Sequence, residues 1–336
     1  MMIKPLVGIL MLGVLMSMVA TGRQDDAWSV NARLGRGINM GNMLEAPREG
    51  AWFARLKEPY FDLVKEAGFT SVRIPVRWSA HALDEAPYTI DAKFLKRVDL
   101  AVEQALARGL LVVLNVHHYN GFMEDPAAHE ERLLGIWEQL SRHYRNQPRA
   151  LCFEVLNEPS DKVTPEIWNR VQNKALKLIR KSNPDRIIFA APLGWNRIGH
   201  LKSLELPFDD PNLIASVHFY EPFWFTHQGA GWVKRDIPVG KEWLGTDGQK
   251  AELLADLDEA ARWSKEHGIP INVGEFGAYE KAGMESRARW TAFLTREMEK
   301  RGMSWNYWEF CSGFGVYDPD EKIWRTELLN ALIPNG

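Results

Sequence analysis

The feature that most constrains the fold is a repeated alternation of short apolar runs with longer amphipathic stretches, which begins near residue 33. The run LLVVLNV at 110–116 is apolar at nearly every position, as expected of a strand buried on both faces. Eight such units can be counted along the chain. The predicted strands are Gly35–Asn39, Ser71–Val76, Leu110–His117, Leu151–Asn157, Arg186–Ala190, Leu213–His218, Pro270–Glu275 and Ser304–Trp308.

Helical patterns lie between these strands, and several end at a glycine, the residue that most often terminates a helix. The terminating glycines are Gly68, Gly109, Gly268 and Gly302. Predicted helices include Asp91–Arg108, Glu131–Arg145, Pro165–Lys181, Ala251–His267 and Glu285–Arg301. Eight strand–helix units in succession predict an α/β fold of the (β/α)8 TIM-barrel type. An open dinucleotide-binding sheet is disfavoured because no G-x-G-x-x-G motif follows the first strand.

The N-terminus has the pattern of a secretory signal peptide. A basic start ending at Lys4 precedes an uncharged apolar run, Leu6–Ala20, which is shorter than the ~20 residues of a membrane span. We therefore expect residues 1–22 to be a signal peptide and residues 23–336 to form one domain. The mature protein is expected to be secreted, either extracellular or periplasmic, with no membrane anchor.

Composition excludes several classes of partner. The formal net charge is −3 with both signs interspersed, so a nucleic-acid partner is not expected and a neutral substrate is compatible. The two cysteines, Cys152 and Cys311, are too few for a disulfide framework, and they are expected to remain unpaired because they belong to opposite ends of the predicted barrel. The chain is expected to be a monomer.

Polar side chains recur where the predicted strands end, at positions where a strand inside a barrel is normally apolar. In a (β/α)8 barrel these carboxyl-terminal strand ends meet on one face, which is where barrel enzymes place their active sites. The residues concerned are Arg73, Arg77, His117, His118, Asn157, Glu158, His218, Tyr220, Glu275, Trp308 and Glu309.

Glu158 and Glu275 end the fourth and seventh strands and can face one another across the barrel mouth. A carboxyl pair of this kind is what glycoside hydrolysis requires, one protonated and the other ionised. Arg73 is a candidate for keeping its neighbour ionised, and Tyr220 for donating a hydrogen bond to the same carboxylate.

Seven strings, in this order, resemble glycoside hydrolase family 5, the cellulase-type family of clan A. They are GINMGN (37–42), VRIPVRW (72–78), NVHHYNG (115–121), VLNEP (155–159), HFYEPF (218–223), VGEFG (273–277) and WNYWEF (305–310). The resemblance extends over essentially the whole mature chain. It implies a retaining endo-β-1,4-glucanase that acts on a β-linked polysaccharide or oligosaccharide and needs no cofactor.

The same resemblance assigns roles to residues. Glu158 would be the general acid/base and Glu275 the nucleophile, while Asn157 would bind the 2-hydroxyl of the sugar being cleaved. The other substrate-binding residues that it implies are Arg73, His117, His118, His218, Tyr220 and, as an apolar platform beneath that sugar, Trp308.

Other interpretations remain beside this one. The adjacent His117 and His118 are a poor metal pair, because neighbours on a strand point to opposite faces, so no metal is expected. The Gly313–Gly315 segment lies where many barrels bind phosphate, although glycines there more often serve a turn.

A long segment, Tyr220–Gly248, contains aromatic residues that either line sugar subsites or form a small core of their own. The aromatic residues are Phe223, Trp224, Phe225, Trp232 and Trp243, and Trp52 in the loop after the first strand raises the same question. A β-mannanase or a xyloglucanase would share the catalytic residues. A non-catalytic carbohydrate-binding barrel is the alternative of a different class, as is a cofactor-dependent barrel enzyme.

Overall fold

Eight parallel strands close into a barrel in which β1 pairs with both β2 and β8, in the computed structural model that describes residues 26–334. Neighbours along the chain are neighbours in the barrel throughout. The strands are β1 (Arg36–Asn39), β2 (Ser71–Ile74), β3 (Leu111–Asn115), β4 (Leu151–Glu154), β5 (Ile188–Ala190), β6 (Leu213–Phe219), β7 (Ile271–Phe276) and β8 (Ser304–Tyr307). The predicted (β/α)8 fold is confirmed.

Helices follow or connect the strands, and a short hairpin lies near the C-terminus. The helices are α1 (Ala27–Leu34), α2 (Pro59–Glu66), α3 (Ala92–Ala107), α4 (Asn120–Glu124), α5 (Pro126–His143), α6 (Pro165–Arg180), α7 (Leu193–Asn196), α8 (Phe223–Thr226), α9 (Asp247–His267), α10 (Met284–Lys300) and α11 (Thr326–Leu332). The hairpin strands are β9 (Tyr317–Asp318) and β10 (Ile323–Trp324), and two 3₁₀ turns span Trp78–Ala80 and Ile198–Ser203.

Two predicted helices begin earlier than expected. The helix expected from Glu131 starts at Pro126, where Asp125 accepts the backbone N–H of Ala128 as the N-cap. The helix expected from Ala251 starts at Asp247, because Thr246 and Gln249 form a capping box. Both starts are set by capping side chains rather than by the apolar periodicity on which the prediction relied.

Successive side chains along each strand point alternately into and out of the barrel, which divides the core into an inner and an outer part. Val112 and Leu114 of β3 point outward and pack with the surrounding helices, whereas Leu111 and Val113 point into the barrel. Helix α1 closes the amino-terminal end of the barrel by packing its apolar side chains on this inner set. The next inward positions above the apolar layer are polar, so the barrel changes from an apolar floor to a polar mouth along each strand.

The two cysteines are free and buried, Cys152 in this inner apolar layer and Cys311 in the loop that follows β8. No helix within residues 26–334 is long and apolar enough to cross a membrane. The predicted signal peptide, residues 1–22, lies outside the described residues.

Candidate active site at the carboxyl end of the barrel

Arg73 is the centre of the polar cluster in the barrel mouth. Its side chain comes from the inner face of β2, is fully buried, and uses all five of its N–H donors. Nη1 donates to Glu275 Oε1 at 2.7 Å and to Asn39 Oδ1 at 2.9 Å, while Nη2 donates to Asn157 Oδ1 at 2.7 Å. The predicted contact between Arg73 and the carboxylate of Glu275 is therefore present.

The remaining Arg73 donors are taken by Glu154, a residue that the sequence analysis did not single out. Glu154 accepts Nε at 2.6 Å and Nη2 at 3.3 Å, and it also accepts the Ser216 hydroxyl at 3.0 Å. Burial opposes its ionisation, but the Arg73 charge prevails and holds the pKa of Glu154 below its usual value. Glu154 is thus an ionised anchor that fixes the orientation of Arg73.

Glu275, at the end of β7, is held by two donors. Arg73 donates to Oε1, and the Tyr220 hydroxyl donates to Oε2 at 2.9 Å, as predicted. Burial raises the pKa of Glu275, while the neighbouring His218 and Arg73 oppose that rise. Two directed donors, one of them the Arg73 guanidinium, favour the ionised form of this carboxyl group.

Glu158 has a different environment. Its backbone adopts a left-handed conformation, with φ of 50°, and its N–H is held by Asn196 Oδ1 at 3.1 Å. Its carboxyl Oε1 lies 2.9 Å from His218 Nδ1. Burial raises the pKa of Glu158 to about 7, and burial also lowers that of His218 to about 4, so the imidazole stays neutral beside it. Glu158 has no guanidinium contact of the kind that Glu275 has with Arg73, and this difference favours the protonated form at Glu158 over the protonated form at Glu275.

The two carboxyl groups face one another closely. One oxygen of Glu158, one of Glu275 and one nitrogen of His218 all lie within 4.8 Å of each other. This upper limit on the distance between the nearest carboxyl oxygens is compatible with the roughly 5 to 5.5 Å between the carboxyl groups of double-displacement glycosidases, whereas enzymes that place a water between sugar and base need roughly 6.5 to 9.5 Å.

These three side chains are also of the types that ligate metals. The Arg73 guanidinium, however, already lies 2.7 Å from Glu275 and supplies the positive charge at that point. A divalent ion here would have to face that guanidinium at close range. The arrangement therefore suits proton transfer and nucleophilic attack better than metal coordination.

An aromatic row crosses the mouth from β8 toward β1. Trp308, partly exposed, is stacked on His117 with ring centroids 5.8 Å apart, and His117 meets His118 at 4.4 Å. His118 in turn meets the ring of Trp52 at 5.5 Å. Burial holds the pKa of His117 well below its usual value and lowers that of His118 to about 4. Both imidazoles are therefore neutral and take part in the row through their rings.

Beside Glu158 lies a cavity of about 240 Å³, which is lined mainly by polar groups and adjoins the aromatic row at His118. Asn157, Glu158 and Ser160 contribute from the loop after β4, and His118 from the loop after β3. Trp195, 46% exposed in the loop after β5, borders the same cavity with its indole ring. Sequence reasoning missed Trp195, although its position after a predicted strand end was a usable signal.

The aromatic residues of the Tyr220–Gly248 segment divide between the two roles considered. Trp243 and Phe225 are fully buried and pin the segment to α10, where Trp243 meets Phe293. Trp224 and Trp232 are exposed by 41% and 59%, and Trp232 packs edge-on against Tyr279. Phe223 is partly exposed and stacks on His227 at 4.1 Å, so Phe223, Trp224 and Trp232 are the rings of this segment that a ligand can reach.

Glu309 and Glu45 are buried carboxyls that hold the loops around Trp308. Glu309 accepts the backbone N–H groups of Cys311, Ser312 and Phe314, and Glu45 accepts those of Asn42 and Met43. Burial raises the pKa of Glu309 to about 7 and that of Glu45 to about 8. The N–H groups at Ser312 and Phe314 are therefore turned inward, so the Gly313–Gly315 segment serves a turn rather than a phosphate site.

Comparison with known proteins points to the same family as the sequence motifs. The Cellulase (glycosyl hydrolase family 5) model matches residues 35–313. Endoglucanase H of Acetivibrio thermocellus is 36% identical over 320 residues, which are 93% of this chain and 34% of that protein. The Cellulase/esterase CelE of the same organism is 30% identical over 305 residues, 85% of this chain and 36% of that protein. The chain thus spans about a third of the length of these two relatives.

Several solved structures are also similar to this chain over most of its length. The endoglucanase Cel5A of Thermotoga maritima is 49% identical, covers 92% of this chain and 100% of its own, and superposes with a TM-score of 0.90. It has been solved with cellobiose and with mannotriose. A hyperthermophilic endo-β-1,4-glucanase in complex with substrate is 43% identical, with a TM-score of 0.91 over 93% of this chain and 100% of its own.

Proposed function

Because the chain belongs to the cellulase family, glycosyl hydrolase family 5, we propose that it is a retaining endo-β-1,4-glucanase in which Glu158 is the general acid/base and Glu275 the nucleophile. The observation that carries the assignment is the unequal environment of two carboxyls within 4.8 Å of each other. Glu275 receives Arg73 and Tyr220 as donors, whereas the pKa of Glu158 is raised to about 7.

In the first step, ionised Glu275 attacks the anomeric carbon and forms a covalent ester with it. The bond from that carbon to the glycosidic oxygen breaks, and Glu158 gives its proton to the departing oxygen. Arg73 and Tyr220 hold the two oxygens of Glu275, so that the carboxylate meets the carbon in a fixed orientation.

In the second step, Glu158, now ionised, takes a proton from water while the water oxygen attacks the anomeric carbon. The ester bond to Glu275 breaks and both carboxyl groups return to their starting states, so two inversions give net retention. Neutral His218, 2.9 Å from Glu158, stabilises the ionised form of the acid/base between the two steps.

The remaining groups bind the chain on either side of the reacting sugar. Trp308 forms an apolar platform beneath that sugar, with His117 and His118 beside it, and Asn157 contacts its 2-hydroxyl. Asn157 is itself fixed by Arg73 at 2.7 Å. The cavity bordered by Trp195 lies on the Glu158 side and receives the leaving group, because Glu158 must reach the departing oxygen.

Mannan hydrolysis is a second activity that one observation favours. The Thermotoga maritima Cel5A structure, 48% identical to this chain, contains mannotriose. A β-mannanase activity would use the same two carboxyls and differ only in contacts to the 2-hydroxyl. A xyloglucanase would differ in the width of the cleft.

The test is reducing-sugar release from carboxymethylcellulose, mixed-linkage glucan, xyloglucan, mannan and xylan. We expect the highest kcat/KM on a β-1,4-glucan, with a fall in solution viscosity that precedes most of the reducing-sugar release. The Glu275→Gln variant, purified in parallel, controls for contaminating hydrolases. A purified protein that binds these glycans without cleaving them would instead support the non-catalytic alternative.

The mature protein is proposed to be secreted after cleavage near residue 22, and to act as a monomer. The support for secretion is the signal-peptide pattern of residues 1–22, which precede the folded barrel. N-terminal sequencing of the exported protein and light scattering of the purified protein test these two statements. A retained N-terminus or a dimeric mass would contradict them.

A further inference from the structure

The turn that follows β5 contains three consecutive residues with a left-handed backbone. Gly194 has φ of 71°, Trp195 of 61° and Asn196 of 56°. This conformation suits glycine, but it costs free energy at a residue that carries a side chain. Such strain persists where the surrounding structure enforces it, and it is concentrated at functional sites. The contacts of these three residues therefore indicate what the turn does.

All three residues contact the peptide groups of Glu158 and Pro159. Asn196 Oδ1 accepts the backbone N–H of Glu158 at 3.1 Å. The N–H groups of Gly194 and Trp195 both donate to the carbonyl oxygen of Pro159, at 2.9 and 3.2 Å. Glu158 has φ of 50° although it precedes a proline, which favours an extended backbone at the preceding residue. The turn after β5 thus holds the strained backbone of Glu158 on both sides.

The same turn is joined to the residue that contacts the carboxyl group of Glu158. Arg197, which follows Asn196, pairs with His218 of β6 in a parallel bridge. His218 Nδ1 in turn lies 2.9 Å from Glu158 Oε1. The backbone and the carboxyl group of Glu158 are therefore fixed by two neighbouring parts of one framework, which leaves this side chain little freedom to turn away from a bound substrate.

Only one atom of the Asn196 amide takes part in these contacts. The side chain is fully buried, yet its Nδ2 has no hydrogen-bond partner within residues 26–334. A buried amide nitrogen without a partner opposes folding, so an asparagine is a costly choice at this position. The contact that distinguishes the side chain is the one from Oδ1 to Glu158, and an aspartate would retain that acceptor.

We infer that Asn196 is a positioning residue for the general acid, because its Oδ1 fixes the backbone conformation from which Glu158 reaches the glycosidic oxygen. The inference rests on the proposed function. Asn196 is fully buried, so it acts through Glu158 and not on the sugar. A displaced Glu158 carboxyl group slows cleavage where the departing oxygen needs a proton, whereas a leaving group that departs without a proton is little affected.

The test compares wild type, Asn196→Gly and Asn196→Asp on two substrates at about pH 6, where Glu158 is protonated. One substrate is a cello-oligosaccharide, whose leaving group needs a proton, and the other is 2,4-dinitrophenyl β-cellobioside, whose leaving group does not. Asn196→Gly removes the acceptor and the left-handed strain together. Its kcat/KM should fall roughly 10- to 100-fold on the oligosaccharide and less than about threefold on the activated cellobioside. Asn196→Asp keeps the acceptor, so its kcat/KM should stay within about threefold of wild type on both substrates.

The matched control is Asn169→Ala. Asn169 of α6 is also a buried amide whose Oδ1 accepts a backbone N–H, that of Glu205 at 3.1 Å. This variant should lower the melting temperature and leave the ratio of the two kcat/KM values unchanged. An Asn196→Gly variant that loses kcat/KM equally on both substrates, or on neither, would overturn the positioning role alone, as would an Asn196→Asp variant as slow as Asn196→Gly on the oligosaccharide. A wild type that hydrolyses neither substrate would overturn the proposed function, and the positioning role with it.

Discussion

Replacing Arg73 with lysine keeps the positive charge but removes the planar guanidinium and its five directed N–H donors. Arg73 uses five N–H donors on four side chains, whereas a lysine ammonium has three donors on one atom. At least two buried acceptors therefore lose their partner. At roughly 1.5 to 3 kcal/mol for each hydrogen bond to a charged group, the loss is about 3 to 6 kcal/mol.

Two measurable effects follow from that loss. The melting temperature should fall by about 6 to 24 °C, at the roughly 2 to 4 °C per kcal/mol typical of large domains. The catalytic effect is separate, because Glu275 Oε1 and Asn157 Oδ1 cannot both be held by one ammonium. We expect kcat to fall about 100-fold, the order expected for a misplacement of about 1 Å at a reacting group, with little change in KM.

Arg186→Lys is the matched control. Arg186 is also buried and donates to backbone carbonyls, including those of Tyr144, Pro148 and Leu151, at the amino-terminal end of the barrel. Its replacement should cost comparable stability while leaving kcat near the wild-type value at a temperature where both variants are folded. An Arg73→Lys variant with wild-type kcat, or an Arg186→Lys variant with an equal loss of kcat, would refute the role given to the Arg73 contacts.

Three further predictions concern the two glutamates. The pKa of Glu158 is raised to about 7 and the acid must start protonated, so kcat/KM should fall as pH rises through about 7. Glu158→Gln should lack this fall in kcat/KM on a substrate with a good leaving group. If the fall were unchanged in the variant, another residue would be the acid. Proton NMR of the first product should show the β-anomer before mutarotation, and initial α-anomer would exclude double displacement. With Glu158→Ala and an activated substrate, azide should raise the rate and release a β-glycosyl azide, because azide needs no base to attack the glycosyl-enzyme; an α-azide from this variant would reverse the two roles.

The strands and most site residues were predictable because each depends on a local pattern. Apolar runs with polar ends, such as the one that finishes at Asn157 and Glu158, are visible in a single sequence, and barrel closure then brings the ends together. Helix starts were less accurate where capping decided them. Thr246 with Gln249 and Asp125 before Pro126 are sequence-level signals for the observed starts, and periodicity alone does not contain them.

Glu154 shows what kind of residue was missed and why. It lies inside the predicted strand Leu151–Asn157 rather than at its end, so a search for polar strand ends passes over it, although the observed strand β4 ends at Glu154. A glutamate is almost never fully buried unless it is paired, and a carboxyl within a barrel strand was therefore itself a signal for a buried cation such as Arg73. No such signal in the sequence showed that Trp243 is buried and Trp232 exposed, because burial within this long loop depends on contacts with α10.

The assignment of Glu275 as nucleophile can be tested most directly by trapping the glycosyl-enzyme. A cellobioside with fluorine in place of the 2-hydroxyl and a good leaving group should form the ester but hydrolyse it slowly, because the contacts to the 2-hydroxyl that strengthen in the transition state are lost. Mass spectrometry of the digested protein should find one added glycosyl unit on the peptide that contains Glu275, and none on the peptide that contains Glu158. A label on Glu158 instead, or turnover without any covalent species, would contradict the mechanism.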